Sequence, residues 1–355
     1  MAKKKEIANI TTEVKSLVVD SVEQDTLVSS IADIINSART NIVVKVNDAL
    51  LSSYWAVGKV IVEHEQLGKV KAEYGINQMA TLSKRLTKKL GKGFSVSNLF
   101  NMRRFYLAYP ILQTVSGKLS WSHYCELFGI SDTAKRGFYE KECLNSRWSF
   151  RELRRQIESS LFERLLLSKG ETNKKIVYEL SQKGQIIEKP EDILKDPYVF
   201  EFLGLPENKP MPERDLENSL VKHLENFLLE LGKGFMYVGR QQRITVGNKH
   251  YYVDMVFYNK ILKAYVLIDL KVVALQPEHF GQMNMYVNYY NSEINDENDN
   301  PCIGILLCTD KDKAVAEYSL GGLSNNIFAS KYVQYIPDRD MLIAEVEKVL
   351  SETKD

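Results

Sequence analysis

Asp254 and the triplet Asp269-Leu270-Lys271 are the residues of this 355-residue chain whose types and spacing could do chemistry together. Each aspartate lies inside an apolar, strand-like run, Tyr251-Tyr252-Val253-Asp254-Met255-Val256-Phe257 in one case and Ile268-Asp269-Leu270-Lys271 in the other. A carboxylate in such a run is costly to bury unless it is paired or holds a cation. A hairpin turn centred between Ile261 and Leu262 would set Asp254 directly opposite Asp269, with Cβ atoms about 4.5–5.5 Å apart. Two like charges that close repel, so one carboxyl keeps a proton or a cation sits between them. The two-residue period of a strand places Lys271 on the face of Asp269. Hard oxygen ligands with coordination positions to spare suit Mg²⁺, which also binds phosphate. A lysine beside it could orient or deprotonate water, or neutralise charge growing on a phosphate. The same three residues would also make a partly exposed ion pair on an ordinary hairpin.

Glu217 falls beside the apolar stripe of a preceding helix, where Leu220, Val221, Leu224 and Leu228 follow at three, four, seven and eleven residues. It is either a first-turn acid favoured by the helix dipole or a third acid near the aspartates. Gln282 and Tyr286 form an i, i+4 pair on a later helix, a spacing that an ordinary helix surface also shows.

The elements that must position these groups can be read from periodicity. A helical stripe from Leu216 to Leu231 stops at Gly232. Strands are expected over Phe235–Val246, His250–Tyr258 and Ala264–Leu270, a helix from Pro277 to about Tyr290, and a buried strand over Cys302–Cys308. A small helix, a strand near Tyr332–Tyr335 and a helix over Met341–Leu350 close the chain. This is an α/β pattern, here a C-terminal α/β domain with a mixed central sheet. Upstream, about Leu27 to Leu167 is helical, with stretches over Ile76–Lys89, Ser97–Tyr109, Trp121–Phe128, Asp132–Asn145 and Ser149–Leu166. Ser97, Ser120, Asp132 and Ser149 are the expected N-caps. The expected organisation is a flexible tail over 1–24, a helical domain over 25–168, a linker over 169–212 and the α/β domain over 213–355. The linker is marked by Gly170, Asn173, Gly184, Pro190, Gly204, Pro206, Pro210 and Pro212.

Asp254 followed by Asp269-x-Lys271 resembles the D…(D/E)xK signature of the PD-(D/E)xK nucleases, and Gln282 with Tyr286 resembles the QxxxY element of several of its branches. Segments Leu194–Leu203, Gly239-Arg240-Gln241 and Gly281–Tyr286 are similar to the bacterial YhcG-type branch, in which a helical N-terminal domain precedes the nuclease domain. The resemblance implies a restriction-endonuclease-like fold and a Mg²⁺-dependent DNA endonuclease, with Mn²⁺ as a substitute ion. Asp254 and Asp269 would be metal ligands, Lys271 the catalytic lysine and Glu217 the helix acid, with Gln282 and Tyr286 completing the catalytic set. Asp269 stands where many of the superfamily carry Glu, one methylene longer. It also implies partners from restriction or defence systems. The alternative is a catalytically silent or conditionally active DNA-binding subunit, since a scaffold can outlive its chemistry.

Between residues 81 and 110 the chain carries Lys84, Arg85, Lys88, Lys89, Lys92, Arg103 and Arg104 and no acid, within a protein of net charge +1. Lys and Arg contacts to phosphate supply sequence-independent affinity for DNA. The helix opening near Ser97 after a Gly-containing turn has helix-turn-helix character, so Asn98 could meet phosphates or base edges. Arg240 is a further DNA candidate, and Arg147, Arg151, Arg154 and Arg155 form a second basic cluster. Trp55, Trp121 and Trp148 read as core. With 44% apolar, 26% charged and 10% aromatic residues the chain is globular. No apolar run nears the ~20 residues of a membrane helix, and no CxxC or zinc spacing links Cys125, Cys143, Cys302 and Cys308 to the histidines. Reduced thiols in a cytoplasm, no membrane partner and, since cutting both strands takes two sites, a homodimer are expected.

Overall fold

The computed structural model describes residues 2–67, 72–112, 115–168, 174–205, 211–310, 316, 318–319 and 326–352. The chain forms two compact units, Met1–Phe128 and Gly129–Asp355. Among the described residues, no helix is long and apolar enough to cross a membrane.

The first unit is helical. It contains α1 (Ala2–Leu67), α2 (Ala72–Leu90), α3 (Val96–Ala108) and α4 (Trp121–Leu127). Residues 2–24 continue the helix of α1 and do not form a separate tail. Its core joins Ile61, Met79, Leu99 and Met102, with Tyr54, Phe100 and Trp121 packed around them. The indoles of Trp55 and Trp121 are half-buried, and their N–H groups donate to the Tyr109 carbonyl at 2.7 Å and Asn98 Oδ1 at 2.9 Å. The cap of α3 is Ser95, not Ser97. Ser95 has extended backbone, and its hydroxyl accepts from the Asn98 amide at 3.2 Å.

The second unit opens with α5 (Thr133–Ser146), α6 (Phe150–Glu158), α7 (Leu161–Ser168) and α8 (Lys174–Lys183). Asp132 and Ser149 cap α5 and α6 as expected. The expected single helix over Ser149–Leu166 is two, because Ser160 takes a left-handed backbone (φ 53°). By its internal contacts the second compact unit takes in these helices together with the sheet that follows. A buried ion cluster holds them there: Glu230 accepts from Arg164 at 2.5 Å and from Arg155 at 3.2 Å, and Arg155 also reaches Glu201 at 2.6 Å.

The six-stranded sheet has the order β1-β6-β5-β4-β3-β2, from β1 (Tyr198–Val199), β2 (Phe235–Val246), β3 (Lys249–Asn259), β4 (Ala264–Ala274), β5 (Ile303–Asp310) and β6 (Ile327–Val333). β2, β3 and β4 are antiparallel neighbours; β4, β5, β6 and β1 run parallel. The segment expected as a linker supplies β1, and Tyr198, Val199 and Phe200 are buried in the core. It belongs to the sheet domain because those apolar residues complete its edge. β6 overlaps the strand expected near Tyr332–Tyr335 but begins earlier, at Ile327, and ends at Val333. The expected small helix after Cys308, and Gly170, Asn173, Pro206 and Pro210, lie outside the described residues.

On one face of the sheet lie α9 (Glu213–Lys222) and α10 (Leu224–Leu231), two helices broken at His223 where the stripe suggested one. On the other lies α11 (Pro277–Tyr289), with Phe280, Met283, Tyr286 and Val287 buried against Val253, Val256 and Leu306. A Cβ on Gly304 of β5 would stand 2.7 Å from Met283, so the helix sits directly on the glycine. The final helix, α12, spans Arg339–Glu352.

Candidate active site

Met255 of β3 pairs with Ile268 of β4, and Asn259 with Ala264, around a turn centred between Ile261 and Leu262. Continued one step, that register sets Asp254 opposite Asp269. The ladder ends there. In place of a strand partner, the Leu270 amide donates to Asp254 Oδ2 at 2.8 Å. Asp269 is 3% exposed. Burial raises the pKa of both carboxyls, and for Asp254 the neighbouring Asp269 charge adds to it, lifting Asp254 to about 6.

Lys271 returns on the same side of β4, its Nζ 2.6 Å from Asp269 Oδ2, 3.7 Å from Glu213 Oε2 and 3.3 Å from the Leu270 carbonyl oxygen. Burial works against its charge, but Asp269 and Glu213 more than offset that and hold the amine above its ordinary value. The residue is an ammonium at neutral pH.

Glu217 lies on the inner side of α9, and its pKa is raised by burial and by Asp254. Between them stands Gln241, whose side-chain N–H donates to Glu217 Oε2 at 2.7 Å and to Asp254 Oδ1 at 3.1 Å. Gln241 takes a left-handed backbone (φ 46°) just past an irregularity in the β2–β3 register between Tyr237 and Gly239. That conformation lets Arg240 and Gln241 line one cleft with Glu213, Arg214, Glu217, Asn218 and Asp254. Arg240 donates to Asn218 Oδ1 at 2.8 Å in this cleft. Sequence reasoning missed Gln241, Glu213 and Arg214. Only the Gly239-Arg240-Gln241 segment hinted at the first.

Gln282 and Tyr286 reach β3 and not the carboxyl oxygens. Gln282 donates to the Tyr286 hydroxyl at 2.5 Å, and that hydroxyl donates to the Tyr252 carbonyl at 3.1 Å, two residues before Asp254. They clamp the strand that carries the aspartate, which is a positioning task.

Among the described residues, no three His, Cys, Asp or Glu side chains converge closely enough to cage a metal. The donors that do converge are two carboxylates, with the Leu270 carbonyl beside Lys271. Asp269 Oδ2 is buried, receives no hydrogen bond of good geometry and meets only the ammonium. A hard cation that keeps several waters fits two carboxylates with unfilled oxygens.

The candidate DNA-contacting residues of the first unit divide. Lys84, Arg85, Lys88, Lys89, Lys92 and Arg104 are exposed. Arg103 is not available in the same way, because its Nε donates to both Glu65 carboxylate oxygens, at 2.7 and 3.0 Å. Asn98 is engaged as well, donating to the Gly93 carbonyl at 2.6 Å while accepting from Trp121. In the second cluster, Arg155 belongs to the buried Glu230 network.

Residues 191–347 match the sequence profile of the YhcG PDDEXK nuclease domain, and residues 30–164 match that of the DUF1016 N-terminal domain. The chain is 36% identical over 348 residues to the Escherichia coli (strain K12) protein named "Putative nuclease YhcG", covering 89% of this chain and 92% of that one. The chain belongs to the YhcG family of PDDEXK nucleases. The helical first unit and the mixed sheet flanked by helices are the restriction-endonuclease-like architecture of that family. A crystal structure of a repair endonuclease from Pyrococcus abyssi is 20% identical over 36% of this chain and 49% of that chain, at a TM-score of 0.25, a likeness that carries no argument. PDDEXK nucleases generally depend on a divalent metal, and in this YhcG-family chain the donors suited to one are Asp254, Asp269 and the Leu270 carbonyl.

Proposed function

We propose that this chain is a Mg²⁺-dependent endonuclease that hydrolyses DNA phosphodiester bonds, with Mn²⁺ able to substitute. One observation carries the reading: two carboxyls opposed across β3 and β4, with a charged lysine 2.6 Å from one of them. Asp254 and Asp269 would hold the ion, which would supply an activated water and charge stabilisation for in-line displacement. Lys271, as an ammonium, neutralises charge growing on the phosphate oxygens. Gln241 keeps Glu217 and Asp254 aligned, and Tyr286 fixes the backbone of β3. The exposed cations of α2 and α3 deliver DNA by phosphate contact.

The experiment is cleavage of supercoiled and branched DNA with Mg²⁺, comparing wild type with Asp269→Ala and Lys271→Ala. Metal-dependent cutting that survives both changes refutes the assignment. The contact of Lys271 with Glu213 favours a second reading, a subunit that cuts only once a partner from a restriction or defence system draws that acid away. Wild type that binds DNA but fails to cut whichever divalent metal is added supports it. The four free cysteines suit a reducing cytoplasm. Pairing of two copies is supported by α1, where Leu27, Val28, Ile31, Ile34, Ile35, Ile42, Val43 and Val46 are exposed. Eight such side chains per copy, at roughly 60–100 Å² each, reach the ~1,200 Å² of a stable interface. Sedimentation of the purified protein at the monomer mass sinks that part.

A further inference from the structure

We propose that the outer end of the β2–β3 hairpin is a DNA-backbone track that leads away from the carboxylate pair, with Arg243, Tyr252 and His250 as its contacts. This rests on the reading that the chain cuts DNA. It adds where the strand runs once it leaves the site.

The β3–β4 ladder ends at Met255, whereas β2 and β3 stay paired out to Val246 and Lys249. Residues 249–254 of β3 are therefore a two-stranded ribbon that reaches past the sheet. Its two faces differ sharply. Ile244 and Val253 are buried, and with Tyr251 they pack on Phe280, Met283 and Tyr286 of α11. That contact holds the ribbon rigid. The alternate residues Arg243, Thr245, His250 and Tyr252 are exposed. Arg243 lies directly opposite Tyr252, and Thr245 opposite His250, with a 3.0 Å hydrogen bond between the second pair.

Residues two apart on a strand share a face, so Asp254, Tyr252 and His250 form one row. Arg243 and Thr245 form the row beside it, running out from Gln241. The face that carries the catalytic carboxyl thus continues without interruption onto the ribbon. Its charge changes sign on the way. From Phe235 to Val253 the sequence has Arg240, Arg243 and Lys249 and no acid. Acids crowd the inner end, where Glu213, Glu217, Asp254 and Asp269 meet. A polyanion docked at the acids needs a cation beyond them, and Arg243 supplies one on a fixed support.

The spacing suits a nucleic acid strand. At about 3.3 Å per residue, Tyr252 and His250 lie ~7 and ~13 Å outward from Asp254. At ~3.4 Å per nucleotide along a duplex, that is about two to four nucleotides from the cut. Arg243 offers a planar fork to phosphate, and Tyr252 a ring and a hydroxyl to sugar and phosphate. None of these groups reads a base pattern by itself, so the track contributes affinity and register, not sequence preference.

The test is fluorescence anisotropy on a 30-base-pair duplex, in EDTA so that nothing is cut, across a salt series. The full chain is compared with Arg243→Ala, His250→Ala and Tyr252→Ala. Arg243→Ala is expected to weaken binding about five- to tenfold and to lower the slope of log K against log salt by about 0.9. Tyr252→Ala is expected to weaken binding with the slope unchanged. Thermal unfolding should not move, since these side chains are exposed. Duplex DNA carrying 5-iodouracil two to four nucleotides from the cut should cross-link to Tyr252. If wild type binds DNA and all three variants match it in affinity and slope, the track is refuted while the nuclease reading stands. If wild type binds no DNA, the nuclease reading fails and the track with it. Tighter binding to an RNA duplex than to DNA overturns the choice of DNA.

Discussion

Glu230 should be the residue on which the second unit most depends, and Glu230→Gln measures that with almost no change in shape. The carboxylate is completely buried and faces three cations. Arg164 donates to it at 2.5 Å, both terminal nitrogens of Arg155 at 3.2 Å, and Lys195 reaches its backbone carbonyl. The Val199 amide of β1 donates to the same carboxylate at 3.1 Å. Burial alone would raise its pKa, but Arg164, Lys195 and Arg155 pull it down from 4.5 to about 2. At ~1.36 kcal/mol per unit, that difference is about 3 kcal/mol of stability. Breaking a buried pair by neutralising one partner costs about 3–5 kcal/mol in general, and the two figures agree. For a domain near 200 residues, each kcal/mol moves Tm by roughly 2–4 °C, so a loss of about 10 °C is expected. The sign of the pH effect follows from the direction of the shift. A depressed carboxylate contributes its stability above 4.5 and loses it as pH falls toward 2. The gap between wild type and Glu230→Gln, read by circular dichroism melts, should be full at pH 6 and should close between pH 4.5 and 2. A variant within 2 °C of wild type at pH 6, or a gap unchanged at pH 3, refutes the argument.

Lys271→Ala should lower the cleavage rate about 10²–10³-fold, the usual cost of one transition-state charge donor, while DNA affinity in EDTA stays within twofold. Gln241→Ala should slow cleavage roughly tenfold without shifting Tm, because it releases Glu217 and Asp254 from a common donor; a Tm drop with normal kinetics would make Gln241 merely structural. Asp254 is lifted to about 6 by burial and by Asp269, so its protonated form persists to that pH and Mg²⁺ affinity measured by calorimetry should fall steeply below it; flat affinity from pH 8 to 5 argues against the carboxyl pair as the site. Arg104→Ala should reduce the salt slope of DNA binding by about one, whereas Arg103→Ala should act mainly on the stability of the first unit through the lost Glu65 pair.

Local patterning made much of the site readable. β-branched and aromatic runs gave β2 and β3 nearly to the residue and the start of β4, which runs four residues past the expected end to Ala274, and a symmetric count about Ile261 and Leu262 set Asp254 against Asp269. The period of two put Lys271 beside Asp269. What escaped was long-range or conformational. β1 is two residues long inside a proline-rich stretch, and only its burial beside β6 identifies it. The breaks at Ser160 and His223 carry no glycine or proline. Arg155 reads as one of a basic cluster, and nothing local singles out Arg164, Lys195 or Glu230, because their partners lie tens of residues away. Arg103 and Glu65 are separated in the same manner. Gln241 was invisible because its role depends on a left-handed backbone that its residue type does not advertise.

Two ionised carboxylates about 5 Å apart repel by about 3 kcal/mol at an effective dielectric near 20, so the fold must hold Asp254 and Asp269 against separation. It does so from both sides. The Leu270 amide and the Gln241 side chain each donate to one oxygen of Asp254, and Lys271 faces Asp269. Tyr286 ties the β3 backbone to α11 two residues away. With those restraints the strands cannot splay to relieve the repulsion, and the pair must take up positive charge instead. The raised pKa of both carboxyls expresses that demand when no cation is bound. A divalent ion bound there would meet the same demand, since it answers the same field. The restraints therefore act on affinity through the unbound state: any change that lets β3 drift from β4 relaxes the repulsion and weakens the demand for a cation. Tyr286→Phe should then cost metal affinity although its hydroxyl touches no carboxyl oxygen, and loss of affinity without loss of fold separates this route from simple destabilisation.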